Sequence, residues 1–445
     1  FAHALFQDYV YHRLGIAERR LLHGEVATAL ERLYDGQLEE MAVQLAHHFQ
    51  KADDCGRALS YLTLAAERAS RLYANDEAIV HYTRAIEVAE RVSPDTPTLA
   101  KLHRGRALAC ERVGEFDCAR ADHDAILHLA RAADEQRIEW RALLDLGKLW
   151  ASRDYHQARD YLEQALHLAR QMDDPAVLAE SLNWMGNWHA NAEDPLAAVD
   201  YHQQALVIVE QSGDRQDLAN TLDLLGLAHL LAGDQTTSVG YHDRAIALSR
   251  ELEDRPRLVT GLIARAVTVS EVIMLALLPP VPAPDAQRDL EEAMQVAREI
   301  DSAPDQAWVY WALGLLHTVQ GRFGSALAVM ERGLRLTLEI QHHEYEVANR
   351  CALGKLYVEM LAPDQAKQQL ELALDVAGEL RSRLWMHHLS GTLAGAHLLL
   401  GDQTAALALL DQVLSPHTAM DTTGRRYCWT RRAELALAQG DPALA

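Results

Sequence analysis

Three asparagines, Asn183, Asn187 and Asn191, recur at i, i+4 and i+8 and therefore line up along one side of a helix. Each carboxamide carries donors and an acceptor, the set needed to grip a main-chain amide in both senses without reading side chains. Trp184 stands among them with a flat apolar face. One such bond nets about 0.5–1.5 kcal/mol, so three or four with a stacked indole suit micromolar binding of an extended polypeptide. Asparagine is a poor residue for a helix interior, so three on one face call for a reason. Solvated surface with accidental spacing is the other reading. Trp184 and Trp188 beside Asn and Asp would equally suit the face of a sugar ring.

Other chemistry finds less support. The chain has 22 histidines, with adjacent pairs at His47-His48, His342-His343 and His387-His388. Neighbours on a helix point about 100° apart and do not easily share a metal. No H-E-x-x-H and nothing like a nucleophile elbow occurs. Gly147-Lys148 and Gly354-Lys355 lack the upstream glycine and the following Ser or Thr of a phosphate-binding loop. No catalytic residue, cofactor-binding residue or metal ligand is assigned, and no enzymatic activity is expected. Five cysteines form no C-x-x-C pair, so neither a disulfide framework nor a zinc knuckle is expected, which fits a reducing compartment. A formal charge of −22 argues against a nucleic-acid surface and against anionic membrane. The longest apolar run, Val272 to Pro284, is proline-broken and far below the ~20 residues of a spanning helix. A cytoplasmic location is expected.

The elements that position these residues follow from an internal repeat. A small residue is followed twelve positions later by another, then by a large residue at +4 and usually a small one at +7: Gly186, Ala198, His202, Ala205, then Gly226, Ser238, His242, Ala245. The pattern returns at Gly314, Ala326, Met330, Gly333, at Gly354, Ala366, Leu370, Ala373, and at Ala394, Ala406, Leu410, Val413. Earlier copies start at Ala66, Ala107 and Gly147, and the copy led by Ala266 is eight residues longer. Apolar residues around them fall at i, i+3, i+4 and i+7, the stripe of an amphipathic helix, and Gly233-Asp234, Gly401-Asp402, Asp173-Asp174-Pro175 and Ser212-Gly213-Asp214 mark turns. Small residues let one helix approach the bulky residue of another. A forty-residue unit leaves about 17 residues per helix, roughly 25 Å of rod, and such hairpins bury their apolar faces only by stacking.

This spacing resembles the tetratricopeptide repeat in its forty-residue form, over about residues 38–445. It implies an all-α, right-handed superhelical solenoid of about nine helical hairpins. His189, His229, His317 and His397 stand where that family often has aromatics. In the family the first helix of each hairpin lines the concave groove. Transferred here, that places Asn183, Trp184, Asn187 and Asn191 in the groove, with Asn220 and Asp223 from the next hairpin and Asp145 and Lys148 from the preceding one. Trp308 and Trp311 form a second patch that reads as core.

Phe1-Ala2-His3-Ala4-Leu5, Tyr11, Arg19-Arg20-Leu21-Leu22-His23 and Leu45-Ala46-His47-His48-Phe49 are similar to the junction that joins the ATPase and winged-helix part of STAND-type regulators to their repeats. The chain starts without a methionine and stops inside a repeat, so it is expected to be a fragment of a parent with an upstream nucleotide switch. The expected divisions are a junction over 1–57, a first stack over 58–278, a proline-rich insertion over 279–285 that acts as a stiff connector, a hinge or a docking element, and a second stack over 286–445 whose last half-hairpin frays unless capped. The implied function is a non-catalytic sensor arm that binds a protein or peptide and signals through an intramolecular contact with the missing ATPase region, without nucleic acid or membrane as partners. The alternatives are a small-molecule, oligosaccharide-like effector receptor of a LuxR-type activator, and an oligomerisation scaffold.

Overall fold

The computed structural model describes residues 9–441 apart from 10, 73, 152, 271–283 and 301. These form α-helices and, among the described residues, no strand. In order they are α1 (Ile16–Leu33), α2 (Leu38–Ala52), α3 (Cys55–Arg71), α4 (Asn75–Val92), α5 (Thr96–Val113), α6 (Phe116–Ala133), α7 (Gln136–Ala151), α8 (Tyr155–Ala169), α9 (Pro175–Asn191), α10 (Pro195–Ser212) and α11 (Arg215–Ala232). There follow α12 (Gln235–Glu251), α13 (Arg255–Ser270), α14 (Pro284–Glu299), α15 (Ala303–Val319), α16 (Phe323–Glu339), α17 (His343–Glu359), α18 (Pro363–Leu380), α19 (Arg383–Leu399), α20 (Gln403–Val413) and α21 (Thr423–Ala438). Consecutive helices pack together from α1 to α6 and from α8 to α21, and the fold is an all-α solenoid. It falls into two compact units, Phe1–Leu149 and Trp150–Ala445. The sequence boundary at 57/58 lies in the first turn of α3. Residues 279–283 of the proline-rich insertion, the apolar stretch Val272–Leu275 ahead of it and the Phe1–Leu5 motif lie outside the described residues.

The repeat spacing translates into packing. A methyl group built on Gly186 would sit 2.5 Å from His202, and one on Gly226 would sit 2.5 Å from His242. The same holds for Gly314 against Met330 at 2.3 Å and Gly354 against Leu370 at 2.4 Å. Each hairpin thus closes where a glycine of its first helix receives the large side chain of its second. The turn signals become helix caps. Asp174, Asp194, Asp214, Asp234 and Asp402 each accept a backbone N–H from the first turn of the helix they precede, which is worth about 1 kcal/mol per cap.

In the second unit the first helices of successive hairpins (α9, α11, α13, α15, α17, α19, α21) touch one another in turn, whereas among the described residues the second helices have no comparable contact. The first helices are therefore the inner wall. Their burial agrees: α9 has no exposed residue after Ala176, while α10 exposes a complete face.

One expectation needs correction. Cys110 and Cys118 are joined as a disulfide across the α5–α6 turn in the first unit. An odd total says nothing about a single local pair, and the turn between two antiparallel helices brings side chains eight residues apart together. α21 packs on α19 and α20, with Cys428 and Leu435 buried beside Ala394, Ala406 and Leu410.

Candidate functional site

The asparagine row divides. Asn183 is 4% exposed. Its Nδ2 donates to Thr221 Oγ1 at 2.8 Å and its Oδ1 lies 3.0 Å from His202 Nδ1. It is the bracket that orients the imidazole filling the Gly186 notch. Burial pushes His202 down to about 3, so the ring is neutral and its Nδ1–H donates to the Asn183 oxygen. Asp223 does the same work one hairpin later, with His242 Nδ1 at 2.9 Å from its Oδ1. The shared signal was in the sequence, since Asn183 to His202 and Asp223 to His242 are both 19 residues.

Asn187, Asn191 and Asn220 are half-buried, and among the described residues their carboxamides have no hydrogen-bond partner. Trp184, also half-buried, lies on the same helix. Trp188 is committed: its Nε1 donates to the Tyr155 carbonyl at 2.8 Å, and the Arg159 guanidinium lies 5.4 Å from its ring centroid. Asp145 and Lys148 belong to the first unit. Asp145 is 4% exposed, accepts from Arg104 Nε at 2.6 Å and lies 3.9 Å from Lys148 Nζ. Trp311 is buried and stacks on Trp308 at 4.1 Å, which in turn stacks on Tyr345 at 4.8 Å.

The histidines in aromatic positions follow the repeat. His189 stacks on Tyr201 with centroids 5.1 Å apart and lies 3.5 Å from the Asp194 cap, and His229 meets Tyr241 and Asp234 the same way at 5.5 and 3.5 Å. Among the described residues no group of three or more His, Cys, Asp and Glu is placed to hold a metal.

Sequence reasoning missed how the second unit meets itself. Three successive intra-hairpin turns reach the starts of later first helices. Arg153 Nη1 lies 2.6 Å from His343 Nε2, and Asp154 lies 3.6 Å from Arg381. Glu193 pairs with His387 and accepts from Thr422 Oγ1 at 2.7 Å. Arg426 Nη2 donates to the Ala232 carbonyl at 3.3 Å. Leu384 closes an apolar contact with Ala190, Ala198, Ala228 and Leu231. On the inner wall between α15, α17, α19 and α21, Trp311, Trp385, His388 and Tyr427 leave a cavity of about 30 Å³. That is room for a water molecule.

Comparison with known proteins agrees with this geometry. A tetratricopeptide-repeat family model matches residues 177–251, the two hairpins α9–α10 and α11–α12. No curated protein matches. Among solved structures, a Rap protein complexed with competence and sporulation factor is similar with a TM-score of 0.52 at 14% identity, over 78% of this chain and 95% of that one. NprR in complex with its cognate peptide NprX gives 0.50 at 12% identity, over 72% and 90%. The STAND protein with a tetratricopeptide repeat sensor from Pyrococcus horikoshii gives 0.46 at 12% identity, over 87% of this chain and 55% of that one. At these identities the likeness shows the fold alone. No helix among the described residues is long and apolar enough to cross a membrane.

Proposed function

We propose that this chain is a polypeptide-binding repeat array whose ligand lies along the inner wall of the second unit. The observation that carries the reading is the pair of carboxamides of Asn187 and Asn191, one turn apart on an inner helix and without partners among the described residues. Asn220 of the next inner helix adds a third. Backbone amides of an extended ligand would satisfy them, with Trp184 as an apolar neighbour. Two of the structurally similar proteins, a Rap protein and NprR, are complexed with competence and sporulation factor and with a cognate peptide, and the second supports a peptide over a sugar. Trp188, the second ring of a sugar platform, is already held by Tyr155 and Arg159.

Within this reading the array serves as the non-catalytic sensor arm of a cytoplasmic STAND-type ATPase, relaying ligand occupancy to a nucleotide switch. The support is the junction-like residues Arg19 to His23 and Leu45 to Phe49. Asp145 and Lys148, already paired in the first unit, are not counted among the ligand contacts. Selection of random displayed peptides on the wild type, with counter-selection on Asn187→Ala/Asn191→Ala, tests the site. Peptides that bind only the wild type are expected; peptides that all bind both proteins equally contradict it.

A further inference from the structure

We propose that the second unit is held shut by a carboxylate clasp at Glu193, and that this clasp controls access to its inner wall. The inference builds on the polypeptide-binding reading, but its geometry stands apart from it. The turn between the two helices of other repeat hairpins holds a glycine in the left-handed region: Gly114, Gly233, Gly321, Gly401 and Gly440. Glu193 occupies that place in the α9–α10 hairpin with φ 63°, a conformation that strains a residue bearing a Cβ. Among the described turns within hairpins, Leu361 also has a positive φ and is 74% exposed. Glu193 is 3% exposed. A strained, buried carboxylate where glycine serves elsewhere is there for its carboxylate.

What it meets is a built cradle at the start of α21, 229 residues along the chain. Thr422, the N-cap of α21, donates its hydroxyl to Oε1 at 2.7 Å. His387 of α19 pairs with Oε2, and Arg425 Nε lies 3.5 Å from the same oxygen. The positive end of α21 adds to their attraction. Room for the carboxylate comes from Gly424, where a Cβ would fall 2.8 Å from Oε1 and 3.0 Å from His388 Cε1. Glu193 follows Asn187 and Asn191 directly, so the clasp fixes the end of the helix that presents them. The cavity beside Trp311, Trp385, His388 and Tyr427, about 30 Å³, has room for a water molecule.

The substitution Glu193→Gly restores the residue this turn ordinarily carries, so the hairpin keeps its fold and loses only the clasp. Amide hydrogen exchange over 423–428 and 384–389 is expected to accelerate about tenfold or more, because local opening no longer breaks a buried ion pair, while α9 and α10 keep their protection. The radius of gyration from solution scattering is expected to rise. Gly424→Ala, which crowds the carboxylate without removing it, is expected to act in the same direction. Unchanged exchange and unchanged dimensions in both variants would overturn the clasp. Neither readout involves a ligand, so that result would leave the peptide-binding reading to its own test.

Discussion

The hairpins α9–α10 and α11–α12 lie forty residues apart and share one set of fittings. Gly186 and Gly226 receive His202 and His242. Asn183 and Asp223 orient those rings, and His189 and His229 stack on Tyr201 and Tyr241. They differ in what faces away from these fittings. Where the first has Trp184, Asn187, Trp188, Asn191 and Glu193, the second has Leu224, Leu227, Ala228, Leu231 and Gly233. What the two share holds a hairpin together; of what the first has alone, Trp188 is held by Tyr155 and Arg159, and Asn187 and Asn191 carry the proposed site.

Breaking the shared part gives the largest effects. Gly186→Ala and Gly226→Ala each drive a methyl group into an imidazole and are expected to cost about 2–3 kcal/mol by denaturant titration. Adding His202→Ala to Gly186→Ala is expected to restore part of that loss. Simple additivity of the two changes would mean that the notch is not where they meet.

A pH series sharpens the difference between the asparagine and the aspartate. His202, near 3 in the fold, titrates near 6.5 when unfolded. Above pH 6.5 it is neutral in both states and costs nothing. As pH falls below 6.5 the unfolded state takes up the proton first, so stability drops, by about 2 kcal/mol from this one group between pH 7 and pH 5. Asn183→Asp, which copies the Asp223 arrangement, is expected to raise the His202 pKa and flatten that part of the slope. A slope identical to that of the wild type contradicts the assignment of His202 as a buried neutral ring.

A smaller contrast separates rungs of the asparagine row. Asn183→Ala strands His202 Nδ1 and removes a donor from Thr221 Oγ1, which still donates to the Asp217 carbonyl, and is expected to cost about 1–2 kcal/mol in stability. Asn187→Ala, with no partner to strand, is expected to stay within about 0.5 kcal/mol of wild type by thermal melting. Equal losses would place both residues in the same structural role.

Most of the fold was legible because a period is a local signal repeated. Gly186, Ala198 and His202 announce a helix pair, and the copies at Gly226, Gly314 and Gly354 repeat it. The site was half legible. Residue type pointed to Asn183 as a ligand contact, but its partner was encoded 19 residues downstream in His202, in a spacing that a search for exposed ladders does not weigh. Glu193 was illegible in its function, since Thr422, His387 and Arg425 are brought to it only by the curvature of the whole unit. Its sole trace was a glutamate at a turn position that Gly233 and Gly401 fill with glycine. The Cys110–Cys118 pair was near in sequence and missed because parity was weighed over geometry.

The most direct test of a polypeptide site on the inner wall is calorimetric titration of one selected peptide into the wild type and into Asn187→Ala/Asn191→Ala. The double variant is expected to melt at the wild-type temperature and to bind about five- to 150-fold more weakly, the loss of two bonds of about 0.5–1.5 kcal/mol each. Equal dissociation constants in two equally stable proteins would contradict it.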